Sequence, residues 1–449
     1  MINLIPARVS KISIRTSMLI LFLAFMLILN LFAPERSEQI KVTSSYPATV
    51  CPAIGNQISS IAGFTNPKIG RRSIDGSSKK LVKGRTTQIP LSKNPILVEG
   101  NAGTAITFAN SKWKAVVPCS VSNGQQWFAG GSGALTSKSI LHIVNSGFSD
   151  SNVEVEVFTP TGVIEPSSFT ISQNSTKKIS IDTLAPGEEE IVIAVTTKSG
   201  RVSSFLFDER KRGLRSLGAD FVAPTAQAQK QVRIASVPGL VGRFNNNNNS
   251  ISHNLRLFVP GKIDANIEVT INSNDGNFVP DGLSEVKVDS QRVLSIALSS
   301  APVNQPFSVV INSDQPVIAS VLTSFTIGRS SEIVWSTSSD NLSSWSANLT
   351  GSRPILTFVG DKINVLIKAN TVNGKKIEKR ISGSDFASWQ STIGLNRVQV
   401  TALGKGISGG VILLPLEANI GISSIPMNNG ANLETASEPI SDASVITRR

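Results

Sequence analysis

Apolar and polar residues alternate with a period of two through most of the chain beyond residue 140. In segment 153–157, three valines fall on one face of an extended strand and two glutamates on the other. The same pattern recurs at 267–271 and, more weakly, at 365–369. Apolar residues with helical spacing are nearly absent, so the pattern predicts an all-β protein.

A glycine follows each of these three strands at the same distance. The glycines are Gly162, Gly276 and Gly374, in the dipeptides Thr-Gly, Asp-Gly and Asn-Gly. Asp-Gly and Asn-Gly favour tight hairpins because the turn needs a positive φ. The segments around these hairpins also match one another over about 70 residues, which predicts an internal repeat.

Each repeated segment contains roughly six short strands, a number that fits a β-sandwich of immunoglobulin-like size. We therefore expect tandem β-sandwich repeats over 140–208, 231–327 and 354–425. Irregular linkers are expected between them, at 208–230 and at the Ser-rich 329–353.

The segment 45–139 also has β character, with short strands predicted at 105–108 and 115–117. It forms either an additional N-terminal β module or a part that completes the first sandwich. The tail 427–449 is polar and has no periodicity, so we expect it to be disordered.

An apolar segment at 18–33 follows a basic N-terminus at 1–17. Its sixteen residues would span ~24 Å as a helix, which fits a short transmembrane anchor or a secretory signal. The residues before Pro34 make a poor cleavage site, so an uncleaved signal anchor is favoured over a cleaved signal. Basic residues before the segment keep the N-terminus cytoplasmic. We therefore expect a single-pass protein of the plasma membrane, with most of the chain extracytoplasmic.

The chain has two cysteines, Cys51 and Cys119, and both follow the predicted anchor. An even pair in an oxidising compartment most simply forms a disulfide. Two buried free thiols are the alternative.

Candidate catalytic chemistry is sparse. Charged residues make up only 16 % of the chain, and it contains 2 His, 2 Cys and 1 Tyr. His142 lies on the strand face opposite Leu141 and Ile143, and His253 follows an Asn-rich loop, so both are interpreted as surface residues. Nothing marks a nucleophile beside either histidine. Phosphate-binding and calcium-binding loops are not recognisable. We therefore expect no enzymatic activity, no cofactor, no metal site and no nucleic-acid partner.

The net charge is +12 and is spread along the chain, except for one basic segment. Its seven cations fall within 18 residues and are Lys68, Arg71, Arg72, Lys79, Lys80, Lys83 and Arg85. Aromatic residues that would stack on bases are missing between the second and the last of them. The segment is either a solvated loop or a contact for anionic polymers or lipid headgroups.

Several short motifs occur in a fixed order, and they are Cys51-Pro52, Pro118-Cys119, 127–131, 141–145, and Gly218-Ala219-Asp220-Phe221 followed by Pro224. This order resembles an uncharacterised family of actinobacterial membrane-anchored or secreted proteins, a domain of unknown function. The resemblance covers roughly 45–425. It implies a cell-envelope setting, and it supplies no activity and no catalytic residues.

These expectations combine into a membrane-anchored extracytoplasmic β-sandwich protein with a structural or interaction role in the bacterial cell envelope. Its partners would be the membrane, through the N-terminal helix, and wall polymers or other envelope proteins. The alternative is a carbohydrate- or wall-polymer-binding adhesion protein. Trp345 and Trp389 could then stack on sugars, although packing in a core or linker explains them as well.

Overall fold

The computed structural model describes residues 49–428 and residues 18, 19, 21, 22 and 25, apart from gaps at 55–58, 64–69, 75–78, 82–87, 91–93, 99–104, 111, 226, 247, 351 and 417–420. The chain separates into two units, one over Ser45–Leu433 and one made of both chain ends. Every strand described below belongs to the unit Ser45–Leu433.

The predicted anchor at 18–33 and the predicted tail at 427–449 lie largely outside the described residues, and the N-terminus at 1–17 lies wholly outside them. The five described residues of the anchor segment are helical. Over the part of the chain that the structure describes, no helix combines the length and the apolarity needed to cross a bilayer. The anchor and the disordered tail stay predictions.

The N-terminal region consists of short antiparallel strands, because its apolar runs are brief and separated by Gly, Ser and Pro. The strands are β1 (Thr49–Cys51), β2 (Ser59–Gly63), β3 (Gly70–Ser73), β4 (Lys79–Leu81), β5 (Gln88–Pro90), β6 (Ile96–Val98), β7 (Ala105–Ala109) and β8 (Lys114–Pro118). They form two sheets of order β1-β6-β3-β4 and β5-β2-β7-β8. The strands predicted at 105–108 and 115–117 are β7 and β8.

A first body follows, and alternating valines and isoleucines fill the space between its two sheets. Its strands are β9 (Gln125–Phe128), β10 (Ser137–Asn145), β11 (Ser151–Thr159), β12 (Gly162–Val163), β13 (Ser167–Ile171), β14 (Ser175–Ser180), β15 (Val192–Ser199), β16 (Ser203–Arg212) and β17 (Arg215–Val222). One sheet has the order β14-β10-β16-β17. The other has the order β12-β11-β15-β9, with β13 also paired to β11.

A second body is organised around one long strand. Its strands are β18 (Gln229–Val237), β19 (Ser250–Phe258), β20 (Ala265–Ser273), β21 (Gly276–Phe278), β22 (Val286–Val288), β23 (Val293–Ala297), β24 (Phe307–Ile327) and β25 (Ser330–Thr337). The first part of β24 pairs with β20 and β18, and its second part pairs with β19 and β25. This strand therefore connects the two halves of the body.

A third body is also built on a long strand. Its strands are β26 (Ser344–Asn348), β27 (Ser352–Thr371), β28 (Lys376–Gln390), β29 (Leu395–Ala402), β30 (Ser408–Pro415) and β31 (Ser423–Pro426). On one side β27 pairs with β30 and then with β29, and on the other side it pairs with β28 along its length. The described protein is thus nearly all β with several sheets, and the prediction of an all-β chain is confirmed.

The predicted glycine turns are present. Gly162, Gly276 and Gly374 have φ values of 133°, 121° and 82°. Each lies in the connection of an antiparallel strand pair, where a side chain would favour a negative φ.

The two predicted linkers are wrong, because both segments contain strands. In 208–230, β16 continues to Arg212 and β17 follows, and 329–353 holds β25 and β26. Their buried positions include Asp208, Asp220 and Ser336, and these polar residues hide the apolar alternation that marks the other strands. The strand β9 lies within the predicted module 45–139 but pairs with β15, so part of that segment completes the first body.

The bodies pack directly on one another through the outer faces of their sheets. Trp127 and Phe158 of the first body meet Phe258 of the second, with ring centroids 4.5 to 5.9 Å apart. A further apolar cluster joins Phe325 of the second body to Ile412 of the third. These shared clusters make the region one compact unit.

Candidate functional site

The predicted disulfide between Cys51 and Cys119 is confirmed, with the two Cα atoms 4.4 Å apart. Next to it, the Val50 N–H donates to the Ser120 carbonyl (2.7 Å) and the Ser120 N–H to the Val50 carbonyl (2.9 Å). The covalent link and these hydrogen bonds join β1 to the segment that follows β8.

Four residues of the basic segment lie on the paired strands β3 and β4. The register places Arg71 opposite Lys80 and Arg72 opposite Lys79. The remaining three, Lys68, Lys83 and Arg85, lie outside the described residues. The structure thus places the basic segment at the level of strand register. Its role as an anion contact stays a prediction.

An open groove of about 540 Å³ lies between β13 and β14. These two strands belong to different sheets of the first body, so the groove follows the edge where the sheets separate. Its lining residues are Ser167, Ser168, Phe169, Lys177, Lys178, Ile179, Ser180, Thr183 and Leu184. The lining therefore combines two ammonium groups, four hydroxyls and an aromatic ring, without any carboxylate.

The strand β14 and the turn that follows it carry most of these groups. Ile179 is buried in the core of the first body, while Lys177 and Lys178 are exposed. The ammonium nitrogen of Lys177 lies 5.5 Å from the ring centroid of Phe169. A cation held over an aromatic face remains available to a second, anionic partner. This arrangement suits a ligand that carries negative charges and many hydroxyls.

The groove adjoins the disulfide-linked N-terminal region. The Lys178 Nζ donates to the carbonyl oxygen of Ile54 (3.2 Å), and Ile54 lies three residues after Cys51. The strand β1, which contains Cys51, is in the same sheet as the basic strands β3 and β4. Both cationic features are therefore attached to the sheet β1-β6-β3-β4.

The prediction that His142 faces solvent is wrong, since only 1 % of this residue is exposed. It lies on the outer face of β10, opposite Phe205, and the N-terminal sheets cover that face. Neither ring nitrogen has a hydrogen-bond partner. Burial, followed by the charge of Lys178, lowers the pKa of His142 to about 3, so the imidazole is neutral.

The second histidine, His253, is also buried, with 4 % exposed, so its surface assignment is wrong. Its ring Nδ1 lies 3.0 Å from the Thr323 Oγ1, and its edge contacts the ring of Phe307. Burial lowers the pKa of His253 to about 4. It shares the inward face of β19 with Leu255, which is why solvent does not reach it.

A buried polar cluster, which sequence reasoning missed, lies where the first and second bodies meet. Asp208 and Asp220 are directly opposite on β16 and β17, and both are fully buried. The Trp335 ring N–H donates to Asp208 Oδ2 (3.0 Å), and the Trp335 backbone N–H donates to Asp220 Oδ2 (2.9 Å). One tryptophan of β25 thus binds both carboxyls of the neighbouring body.

The two aspartates have different electrostatic surroundings. Burial would raise the pKa of Asp208, but Arg210 and hydrogen bonds from Ser139, Trp335 and Ser137 outweigh it, and the pKa lies below its usual value. Burial raises the pKa of Asp220 well above its usual value. The pKa values of the two paired aspartates are therefore shifted in opposite directions.

Arg256 of the second body enters the same cluster. Its guanidinium lies 5.2 Å from the ring of Trp335, and it donates to the carbonyls of Gly131 (3.1 Å) and Ile191 (3.3 Å). Both carbonyls belong to the first body, so the arginine links the two bodies.

Glu332 connects the second body to the third. It accepts hydrogen bonds from the N–H groups of Gly421 (2.6 Å) and Ile422 (2.9 Å). Burial raises the pKa of Glu332 to about 7. Neither the β13–β14 groove nor a second, polar groove of about 270 Å³ at Arg233 and Ser408 is lined by the cluster residues. We therefore interpret this cluster as a structural connection between the bodies and not as a binding site. We call it the polar joint, and its residues are Asp208, Asp220, Arg256, Glu332 and Trp335. Two sequence features could have indicated this cluster. They are the motif 218–221, which contains Asp220, and Trp335 in the Ser-rich segment 329–353.

The two tryptophans considered for sugar stacking pack in the third body. Trp345 is buried in its core, and Trp389 packs against the same cluster. The core-packing interpretation of these residues is confirmed.

Comparison with known proteins gives a family but no activity. No curated protein matches the chain. Among solved structures, the Streptomyces avermitilis α-L-rhamnosidase complexed with L-rhamnose is similar at 8 % identity and a TM-score of 0.15. The alignment covers 79 % of this chain and 53 % of the rhamnosidase chain, so this chain spans about half the length of that enzyme.

Residues 101–381, more than half of the chain, match a family of unknown function. The matched region contains the first and second bodies, the groove and the charged side chains of the polar joint, while the Gly421 and Ile422 partners of Glu332 lie beyond it. It confirms the expectation of an uncharacterised family, whereas an actinobacterial origin and an envelope location stay predictions. The chain belongs to DUF5719, a family of unknown function.

Proposed function

We propose that the protein binds anionic polymers of a bacterial cell wall, without catalysis, while anchored in the plasma membrane. The observation that carries the proposal is the β13–β14 groove, which presents Lys177, Lys178 and Phe169 among hydroxyls with no carboxylate in the lining. Phosphate or carboxylate groups would pair with the ammonium groups, and sugar or glycerol hydroxyls would bond to the serines and threonine.

The proposed location is extracytoplasmic, on an actinobacterial plasma membrane. The disulfide between Cys51 and Cys119 supports an oxidising compartment. The apolar segment 18–33, with its basic N-terminal flank, supports a single-pass signal anchor. The motif order of the chain supports the actinobacterial envelope setting.

We propose three β-sandwich repeats, at 140–208, 231–327 and 354–425, as the architecture that carries the site. Support comes from the apolar cluster that fills each body and from the three glycine hairpins. In the first body, the edge between the sheets is open and forms the groove. The sandwich edge would thus supply the binding surface.

A structural role toward other envelope proteins is the second candidate. It is favoured by the polar joint and by the apolar clusters that fix the three bodies against one another. A rigid body of this size can hold a partner at a defined distance from a membrane. Polymer binding distinguishes the two candidates, because a purely structural protein has no need of a cationic groove.

The test is binding of the full chain to poly(glycerol phosphate), with dextran as the neutral polymer. The double variant Lys177→Gln with Lys178→Gln removes both groove cations. The matched control, Lys362→Gln with Lys405→Gln, removes two exposed lysines of the third body and leaves the same net charge. We expect the groove variant to bind roughly tenfold more weakly or worse, since each near-surface cation contributes up to ~1 kcal/mol.

The control variant should bind like the wild type, and dextran should not bind. Equal losses in the two variants would mean that only net charge matters, which contradicts a groove site. Absence of any binding by the wild type to poly(glycerol phosphate) contradicts the proposed function itself.

A further inference from the structure

Two leucines at one end of the first body are almost fully exposed, Leu135 at 100 % and Leu214 at 97 %. Leu214 lies at the tip of the β16–β17 hairpin, after Gly213, and Leu135 lies in the turn before β10. The Lys211 N–H donates to the Thr136 carbonyl (2.7 Å), which places both turns at the same end of the sheet. Strand geometry puts the two leucines on the order of 10 Å apart.

Folding alone gives no reason for leucine at these tips. Turns favour Gly, Asn, Asp and Ser because these residues accept turn conformations and hydrate well. A fully exposed leucine side chain makes no packing contact and leaves its apolar surface in water. Two such residues at one end form an apolar feature that protrudes from the protein.

Arginines surround the Leu214 tip. Arg212 and Arg215 flank it and are opposite one another in the register of β16 and β17. Arg215 also donates to the Arg329 carbonyl (3.5 Å) and to Ser331 Oγ (3.1 Å), so the turn between β24 and β25 lies alongside. The side chains of Arg212, Arg215 and Arg329 are exposed.

Acidic groups at this end do not cancel the charge around Leu214. Glu209 is partly buried and pairs with Lys211 at 3.4 Å. The Gly133 N–H donates to the Glu188 carbonyl (2.7 Å), so the acidic segment 188–190 approaches the turn of Leu135 instead. The cationic excess therefore lies at the hairpin tip, and Leu135 adds apolar area beside it.

We propose that this end of the protein contacts an anionic lipid bilayer. Leu214, assisted by Leu135, enters the boundary between headgroups and acyl chains, and Arg212, Arg215 and Arg329 pair with lipid phosphates. An apolar tip ringed by cations matches that boundary, which is apolar below and negatively charged above. The contact uses none of the residues that line the polymer groove, and it does not depend on the predicted N-terminal anchor.

The test uses an environment-sensitive fluorophore on the full chain. Both native cysteines are engaged in the disulfide, so Leu214→Cys introduces a single labelling site. Ile263→Cys, in an exposed loop of the second body (66 % exposed), is the matched control. The labelled proteins are reconstituted with bilayers of phosphatidylcholine alone or of phosphatidylcholine with phosphatidylglycerol.

We expect the emission at position 214 to rise several-fold and shift to the blue with phosphatidylglycerol, while position 263 stays unchanged. Adding Arg212→Gln and Arg215→Gln to the labelled chain, or raising the salt concentration, should abolish the rise. A label at Leu135→Cys should lose its response when Leu214→Ser is added. The proposal would be overturned by no response at position 214 or by an equal response at position 263. A response without lipid that grows with protein concentration would also overturn it, because the partner would then be a second copy of the chain.

Discussion

At the scale of single residues, burial is decided by what covers a sheet face. Alternation correctly separates His142 from the core residues Leu141 and Ile143, but the opposite face of β10 is covered by the N-terminal sheets. Alternation along one strand carries no information about a second layer on that face. The two imidazoles are therefore kept neutral in the interior, with pKa values of about 3 for His142 and about 4 for His253.

Replacing His142 with Phe should change the pH dependence of stability. In the wild type, the unfolded chain takes up a proton at this histidine below about pH 6.5 and the folded chain does not, so the stability falls as the pH drops toward 3. The variant should gain about 1.4 kcal/mol relative to the wild type for each pH unit below 6.5. Urea unfolding at pH 7.5 and at pH 5.5 measures this difference.

The control is His253→Phe, which should show the same relative gain at low pH. At pH 7.5, however, it should be destabilised by about 1 kcal/mol, because Thr323 loses its hydrogen-bond partner. His142→Phe has no such partner to lose and should be neutral or stabilising there. A pH-independent difference between wild type and His142→Phe would contradict the buried, neutral histidine.

At the scale of elements, the predictable strands are those whose inward positions are aliphatic. The strands β11 and β20 and their glycine hairpins follow directly from alternation and turn chemistry. The strand β25 does not, since its buried positions include Glu332 and Trp335, which bond to other bodies. The groove was not predictable either, because β13 and β14 reach one edge only through the pairing of β11 and β10.

The glycine of the β17 bulge tests the contact between β17 and β25. Gly218 has a φ of 111°, and a Cβ there would lie 2.5 Å from the backbone nitrogen of Ile333. Gly218→Ala should therefore cost roughly 3 kcal/mol or more, from backbone strain plus displacement of β25. Gly213→Ala, with a φ of 59° and open space around the Cβ, should cost only about 1 kcal/mol. Thermal unfolding compares the stabilities of the two variants. Equal losses of stability would show that β25 does not pack closely against β17 at Gly218.

At the scale of the whole molecule, shared side-chain clusters join the three bodies into one compact unit. Trp335 binds carboxyls of the first body, and Glu332 binds the backbone of the third. Removing either partner would leave a buried polar group unpaired, which is costly. We therefore expect unfolding of the region to be cooperative. Alternation predicts individual strands, but it does not predict how the three bodies pack on one another, since that packing depends on polar residues scattered over all three.

The disulfide should stabilise this unit by constraining the unfolded chain. Cys51 and Cys119 are 68 residues apart, for which loop closure predicts a contribution of about 4 kcal/mol. The double variant Cys51→Ser with Cys119→Ser should lose approximately this amount in denaturant unfolding without reductant. Addition of reductant should produce the same loss in the wild type and none in the variant. An unchanged midpoint for the reduced wild type would contradict the expected constraint.

The binding claim is tested most directly by lysine acetylation of the full chain, read by mass spectrometry, with and without poly(glycerol phosphate). If the polymer occupies the groove, Lys177 and Lys178 become protected while the exposed Lys362 and Lys405 react as before. Equal reactivity of all four lysines with and without the polymer would contradict the account.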